Sequence, residues 1–221
     1  MSKIKTVGIV GTGVIGTGWI IRNLAHNKIV HAYDQNKNLK SYVLKEIRRT
    51  SKSIKKLFGK KILIKNLKFF NSLEKALVNV DFVQESVLEN YKVKTDLIHK
   101  ISKYVKSDII ISSSSSGLLP SKIFSKSKNP QRGIIGHPFN PAYLLPAVEI
   151  VPGKKTTKKF LLDANKYYKS ISMKPIMLKK ELPGYLSDRL QEALWREGLH
   201  IINENYATTQ ELDRAIEDGP G

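Results

Sequence analysis

A chain of 221 residues with 41% apolar side chains has material for one large domain or two modest ones around a sizeable core. No apolar run approaches the length of a membrane span, nothing at the N-terminus resembles a signal peptide, and there is no cysteine. Disulfides, thiolate metal sites and thiol nucleophiles are therefore excluded, and a reducing cytoplasm is the expected compartment for a chain whose formal charge is +19.

In chain order, residues 4–10 form a short β-branched apolar run that reads as a buried strand, followed by a helix at 14–26 and a second strand at 29–33. A lysine-rich amphipathic helix is expected at 39–58, a strand at 67–70, and a short helix at 73–78 with Ser72 as its N-cap. Strand 81–84, helix 91–105 and strand 109–112 come next. Residues 133–135 and 148–151 read as two more strands separated by a Pro-rich loop. After Pro152-Gly153 a helix is expected at 157–170 and a last edge strand at 174–178. Strands alternating with helices predict an α/β fold, a Rossmann-like doubly wound and mostly parallel sheet. Pro183-Gly184 then breaks the chain before a long helix at about 185–205. Thr208 or Thr209 caps a final helix ending near Asp218. The expected domains are 1–182, which binds a dinucleotide, and 183–221, the beginning of an all-helical C-terminal domain. That second segment is too short to bury both sides of a long helix alone, so it is expected to pack on the first domain, on a partner chain or on residues missing from this sequence.

The basic surplus is uneven. Residues 1–150 hold 26 of the 38 basic and 9 of the 19 acidic residues, and 37–75 alone hold 13 basic against 2 acidic. Such a face suits a polyanion. No nucleic-acid motif accompanies it, so it is read as a solvated lysine surface, with gathering of an anionic substrate or cofactor as the alternative.

Gly11-Thr12-Gly13-Val14-Ile15-Gly16 follows the first strand and opens the first helix, and Asp34 ends the second strand. Each part has a physical job in binding a dinucleotide. Gly11 permits the tight turn, Gly13 lets the backbone approach a pyrophosphate, and Gly16 lets helix and sheet pack closely. The amides of Val14, Ile15 and Gly16, at the positive end of the helix dipole, hold phosphate. Asp34 accepts from both ribose hydroxyls and repels a 2′-phosphate, so the expected cofactor is NAD rather than NADP.

Four further stretches resemble the 3-hydroxyacyl-CoA dehydrogenase family, in order and at compatible spacing. They are the run from Gln84-Glu85-Ser86 through Glu89-Asn90 to Lys94, the serine run ending Ser116-Gly117-Leu118, Gly136-His137-Pro138-Phe139-Asn140-Pro141, and Pro183-Gly184-Tyr185 leading into Asp188-Arg189-Leu190. Within the family the chain is most similar to the L-carnitine dehydrogenase branch, through Tyr143-Leu144-Leu145-Pro146, the run from Leu190 to Glu197, and Ala207-Thr208-Thr209. The chain stops at Gly221 where members of the family continue through several more helices, so the resemblance implies a fragment or a truncated protein. The resemblance implies that His137 is the general base and that Glu149 holds its far nitrogen. It implies that Ser116 and Asn140 hydrogen-bond the substrate oxygen or the base, and that Glu89 and Lys94 lie near the cofactor and the substrate mouth. A histidine suits this task on chemical grounds, because its ordinary pKa lies near neutrality.

Asp188 stands where CoA-using members have Asn, and a carboxylate there suits a positively charged substrate. Trp195, Tyr143, Phe139 and Tyr185 offer aromatic faces that could hold a quaternary ammonium. The implied activity is NAD-dependent oxidation of a 3-hydroxy substrate, with L-carnitine to 3-dehydrocarnitine as the leading reaction. The alternatives are a 3-hydroxyacyl-CoA (3-hydroxybutyryl-CoA) dehydrogenase, a crystallin-like gulonate dehydrogenase, and a truncated module that binds NAD without turnover. The expected partners are a small-molecule substrate and, at full length, a second copy in a homodimer. Neither metal, membrane nor nucleic acid is expected.

Overall fold

Short β-branched runs flanked by helical periodicity pair into one eight-stranded sheet in the computed structural model, which describes residues 4–59 and 61–219. The elements are β1 (Thr6–Val10), α1 (Val14–Ala25), β2 (Ile29–Tyr33), α2 (Leu39–Phe58), β3 (Leu67–Phe70), α3 (Leu73–Leu77), β4 (Phe82–Glu85), α4 (Tyr91–Tyr104), β5 (Ile110–Ser113), α5 (Pro120–Ile123), β6 (Gly133–Pro138), β7 (Ala147–Pro152), α6 (Lys158–Ser170), β8 (Lys174–Met177), α7 (Ser187–Asn203) and α8 (Thr209–Glu217). Strand order is β3-β2-β1-β4-β5-β6-β7-β8. All neighbours run parallel except β6 and β7, which are antiparallel. The sheet is therefore Rossmann-like and mostly parallel, as expected. Its order reverses between β1 and β4, where open α/β sheets place their ligands at the carboxyl ends of the strands.

Trp19, Ile20, Ile21 and Leu24 of α1 join Val7, Ile9, Val30 and Phe82 in the main core cluster. In α2 the buried residues Val43, Ile47, Thr50 and Ile54 recur at helical spacing, while Lys40, Lys45, Lys52, Lys55 and Lys56 face solvent. Ser72 caps α3 by accepting from the Lys75 amide at 3.3 Å, and Asn90 caps α4 by accepting from Val93 at 3.1 Å.

Several boundaries depart from the expectation by a residue or two, β5 among them at Ile110–Ser113, and three departures stand out. Strand β6 continues past Ile135 to Pro138, so His137 sits in a strand and not in the Pro-rich loop. Gly136 and Pro138 are poor strand formers, but antiparallel pairing with β7 extends the ladder over them. Strand β4 runs one residue later than expected, which carries Glu85 into the buried strand. The short helix α5 was not expected. It begins at Pro120, a residue suited to a first helical position.

The fold divides into two units after Pro183. The second holds α7 and α8. Thr208 is the cap of α8, in a reciprocal capping box with Glu211, and not Thr209. On α7, Asp188 and Trp195 are two turns apart on one face, and Leu190, Leu194, Trp195 and Leu199 are exposed.

The join of β1 to α1 is tight. Gly11 has φ +89°, and a Cβ at Gly16 would stand 1.8 Å from the Gly11 carbonyl oxygen. Gly16→Ala should therefore lower stability by about 1–3 kcal/mol through forced separation of turn and helix. Urea unfolding checks this, and an unchanged midpoint would contradict it.

Candidate functional site

At the carboxyl edge of the sheet, a cleft of about 900 Å³ is walled by Val10, Gly11 and Gly13, by Tyr33, Asp34 and Gln35, by Ser86, Val87 and Leu88, and by α4 residues including Val93 and Asp96. A Cβ at Gly13 would meet nothing within 4 Å, so the missing side chain leaves room on the cleft wall. The first turn of α1 has neither a side-chain cap nor an acidic residue, so its amides are left for an anion. Both features fit the pyrophosphate of a dinucleotide. Asp34 Oδ2 accepts from the Thr12 amide at 2.6 Å, and Oδ1 accepts from the Asn36 amide at 2.9 Å. These bonds aim the carboxylate at the turn, and two carboxylate oxygens have about four lone-pair sites in all, so acceptor capacity remains.

A charged knot lies behind the cleft. Glu85 is fully buried, and its Oε1 accepts from Lys94 Nζ at 2.8 Å and from the Val87 amide at 2.6 Å. Its Oε2 accepts from the Ser113 hydroxyl at 2.5 Å. Lys94 also donates to the Val87 carbonyl at 3.0 Å and lies 3.4 Å from Glu89. The structure thus brings Lys94 into a buried ion pair beneath the loop after β4, rather than onto an open helix face. Glu89 in turn accepts from the Ser115 hydroxyl and from the amides of Ser116 and Gly117. Burial works to raise the pKa of the Glu89 carboxyl. The Ser115 hydroxyl, Lys94 and the two amides outweigh it and hold that pKa below the ordinary value.

The five consecutive serines separate by partner. Ser112 bonds Tyr168, Ser113 bonds Glu85, Ser114 meets Trp19, Gln84 and Ser86, and Ser115 bonds Glu89. Ser116 is the exposed one, and among the described residues its hydroxyl has no protein partner.

His137 and Glu149 are directly opposite in the antiparallel register of β6 and β7, so their side chains emerge on the same face. His137 Nδ1 lies 2.8 Å from Glu149 Oε2, with His137 6% and Glu149 0% exposed. A carboxylate only accepts, so Nδ1 carries a proton, and in the neutral imidazole the lone pair is then on Nε2. The Phe139 ring lies 5.2 Å from the imidazole, centroid to centroid. The loop beyond is pinned by buried Arg22, which donates to the carbonyls of Ala142 at 3.1 Å and Leu145 at 2.9 Å. Burial lowers the pKa of that guanidinium to about 10.

Asn140 is exposed just beyond β6. Tyr143, expected among the substrate-facing aromatics, packs against the core cluster and meets Arg49 of α2. Asp188 and Trp195 belong to the second unit. The reading of motifs gave no role to Glu85 or Ser86. The available signal was the polar pair Gln84-Glu85 closing a strand that opens with Phe82-Val83.

The 3-hydroxyacyl-CoA dehydrogenase NAD-binding domain family matches residues 6–182 of this chain. An L-carnitine dehydrogenase of Oceanobacillus iheyensis is 43% identical over 219 residues, covering 99% of this chain and 71% of that protein. An L-carnitine dehydrogenase of Pseudomonas putida is 43% identical over 222 residues, covering 100% and 69%. In fold, 3-hydroxybutyryl-CoA dehydrogenase from Escherichia coli superposes with a TM-score of 0.90 at 24% identity, over 99% of this chain and 47% of that one.

The depressed Glu89 carboxyl has a consequence for pH dependence. A carboxyl whose folded pKa lies below its unfolded value stabilises the fold above the unfolded value, and that contribution is lost as pH falls through the folded one. Glu89→Gln should therefore be less stable than wild type at neutral pH, with the gap closing as pH drops below the ordinary 4.5. Thermal melts across pH 7 to 3 measure it, and a gap that widened on acidification would reverse the sign of the assignment.

Proposed function

The chain belongs to the 3-hydroxyacyl-CoA dehydrogenase family of NAD-dependent enzymes that act on a 3-hydroxy group, and from that premise we propose that it oxidises L-carnitine to 3-dehydrocarnitine. The reading of the chemistry rests on the 2.8 Å contact between His137 Nδ1 and Glu149 Oε2 at the carboxyl edge of the sheet. The choice of carnitine is supported by 43% identity to relatives that bear that name.

NAD, when bound, supplies the acceptor for the hydride that leaves the alcohol carbon. Gly11, Gly13 and the first-turn amides of Val14, Ile15 and Gly16 hold the pyrophosphate, and Asp34 accepts from the adenosine ribose. His137 Nε2 takes the hydroxyl proton of the substrate. Glu149 fixes the tautomer beforehand and faces the imidazolium once it forms, so the new charge is met by one already in place. Ser116 and Asn140 donate to the substrate oxygen. Glu89 and Lys94 shape the rim where cofactor and substrate meet, with Lys94 acting through Glu89. Selection of a quaternary ammonium falls to Asp188 and Trp195 on one face of α7, since such a group is recognised by charge and by ring faces.

We assign cofactor binding to the first unit, and to the second the beginning of a helical substrate and dimerisation domain. The exposed apolar face of α7 supports a homodimer, and a chain without cysteine suits the cytoplasm.

Three measurements test this reading. His137→Gln should lower kcat by about 10²–10⁴-fold with little change in NAD affinity, and Glu149→Gln should do the same more weakly. Near-normal turnover in the His137 variant would overturn the mechanism. Gly13→Val should abolish NAD binding without unfolding the protein, and Asp34→Ala should weaken it and relax discrimination against NADP. NAD reduction with L-carnitine and 3-hydroxybutyryl-CoA, side by side, decides the substrate. A clear preference for the thioester excludes carnitine, and NAD binding without turnover of either leaves an NAD-binding module.

A further inference from the structure

A directed chain of hydrogen bonds runs under the cofactor cleft. Tyr168 Oη lies 2.7 Å from Gln84 Oε1 and 2.8 Å from Ser112 Oγ. Gln84 Nε2 lies 2.7 Å from Ser114 Oγ and 3.4 Å from the Gly136 carbonyl oxygen. A carbonyl oxygen only accepts, so the atom beside it is the amide nitrogen, and the orientation of Gln84 is decided. Its Oε1 then accepts from Tyr168, and its Nε2 donates to Ser114.

Ser114 Oγ also receives the indole N–H of Trp19 at 3.0 Å. An indole nitrogen donates and never accepts. Two donors therefore fill both lone pairs of the Ser114 hydroxyl, and its one proton has to go elsewhere. The remaining neighbour is Ser86 Oγ at 2.8 Å. Ser114 donates and Ser86 accepts, which leaves the Ser86 proton pointing away from Ser114. Ser86 lies on the wall of the cleft beside Gly11 and Gly13. Its backbone is fixed there, because its amide donates to the Val10 carbonyl at 2.7 Å and a Cβ on Gly11 would stand 2.6 Å from its carbonyl oxygen. Among the described residues, no second protein partner engages its hydroxyl.

We propose that Ser86 is a cofactor-binding residue, a hydroxyl committed by its neighbours to donate to an acceptor oxygen of NAD, on the ribose or pyrophosphate. The polarity is imposed from behind. Trp19 and Gln84 are donors that cannot reverse, so Ser86 meets the ligand already oriented as a donor. The inference rests on the reading of the cleft as the NAD site.

The test is equilibrium binding of NAD⁺ to the full chain by calorimetry, with no turnover involved. Ser86→Ala should raise Kd roughly 2- to 10-fold, the range for one net hydrogen bond, in a protein that still unfolds cooperatively although the Ser114 hydroxyl has lost its acceptor. Ser86→Cys, near in size but a weak donor, should lose affinity like the alanine variant, whereas Ser86→Thr should bind like wild type. Wild-type affinity in the alanine or the cysteine variant overturns the proposal, because the donor would then not be used. Gly13→Val is the reference. If it abolishes binding while Ser86→Ala changes nothing, the cleft reading stands and the role of Ser86 falls. If Gly13→Val binds NAD⁺ normally, the cleft reading and this proposal fail together.

Discussion

Two carboxylates, Glu85 and Glu149, are withdrawn completely from water at the carboxyl edge of the sheet. A buried carboxylate is tolerated only where cationic or N–H partners replace its hydration, and removing such a partner typically costs several kcal/mol. Each therefore dictates what surrounds it. Glu149 requires the ring N–H of His137 on the neighbouring strand. Glu85 requires Lys94 from α4, the Val87 amide after β4 and the Ser113 hydroxyl at the end of β5. Between them these demands tie β4, β5, β6, β7 and α4 together where the loops of the sheet converge.

The consequence is a site supported from beneath by groups with little freedom to turn. Lys94 is tethered to Glu85 and to the Val87 carbonyl and lies beside Glu89, and Glu89 gathers the serine loop through one hydroxyl and two amides. Tyr168, wholly buried and with its phenol pKa pushed well up by desolvation, stays protonated and can anchor the hydrogen-bond chain through Gln84. Such preorganisation matters for hydride and proton transfer, because groups that need no reorganisation during the reaction stabilise developing charge most effectively. The exposed residues proposed to meet the substrate, Ser116 and Asn140, sit on loops held by this scaffold.

The surplus of lysines plays little part in that architecture. Along α2 they occupy the face opposite a narrow buried stripe, and among the described residues the ion pairs on that helix reduce to Arg49 with Glu46. Exposed pairs of this kind contribute little to stability. The cations that matter structurally are the few that lost their water: Lys94, Arg22, Lys28, which donates to the Ile4 carbonyl, and Arg132, which donates to the carbonyls of Ser102 and Lys106.

The sequence by itself determined the order of strands and helices, the glycine turn opening α1, the acidic end of β2 and the histidine stretch of β6. Those features are written in local terms: hydrophobic period, turn chemistry, and residue types within a few positions of one another. Tertiary structure alone decided the partners. That β6 extends through His137 depends on a strand twelve residues away in sequence pairing antiparallel with it, against the local propensities of Gly136 and Pro138. That Lys94 is buried while Lys92 and Val93 beside it on α4 are exposed depends on Glu85 beneath it. Which of five identical serines faces outward depends on which donors and acceptors four separate elements bring to the other four. Hydrogen-bond partners and desolvation are properties of residues distant in the chain, and no periodicity in one segment encodes them.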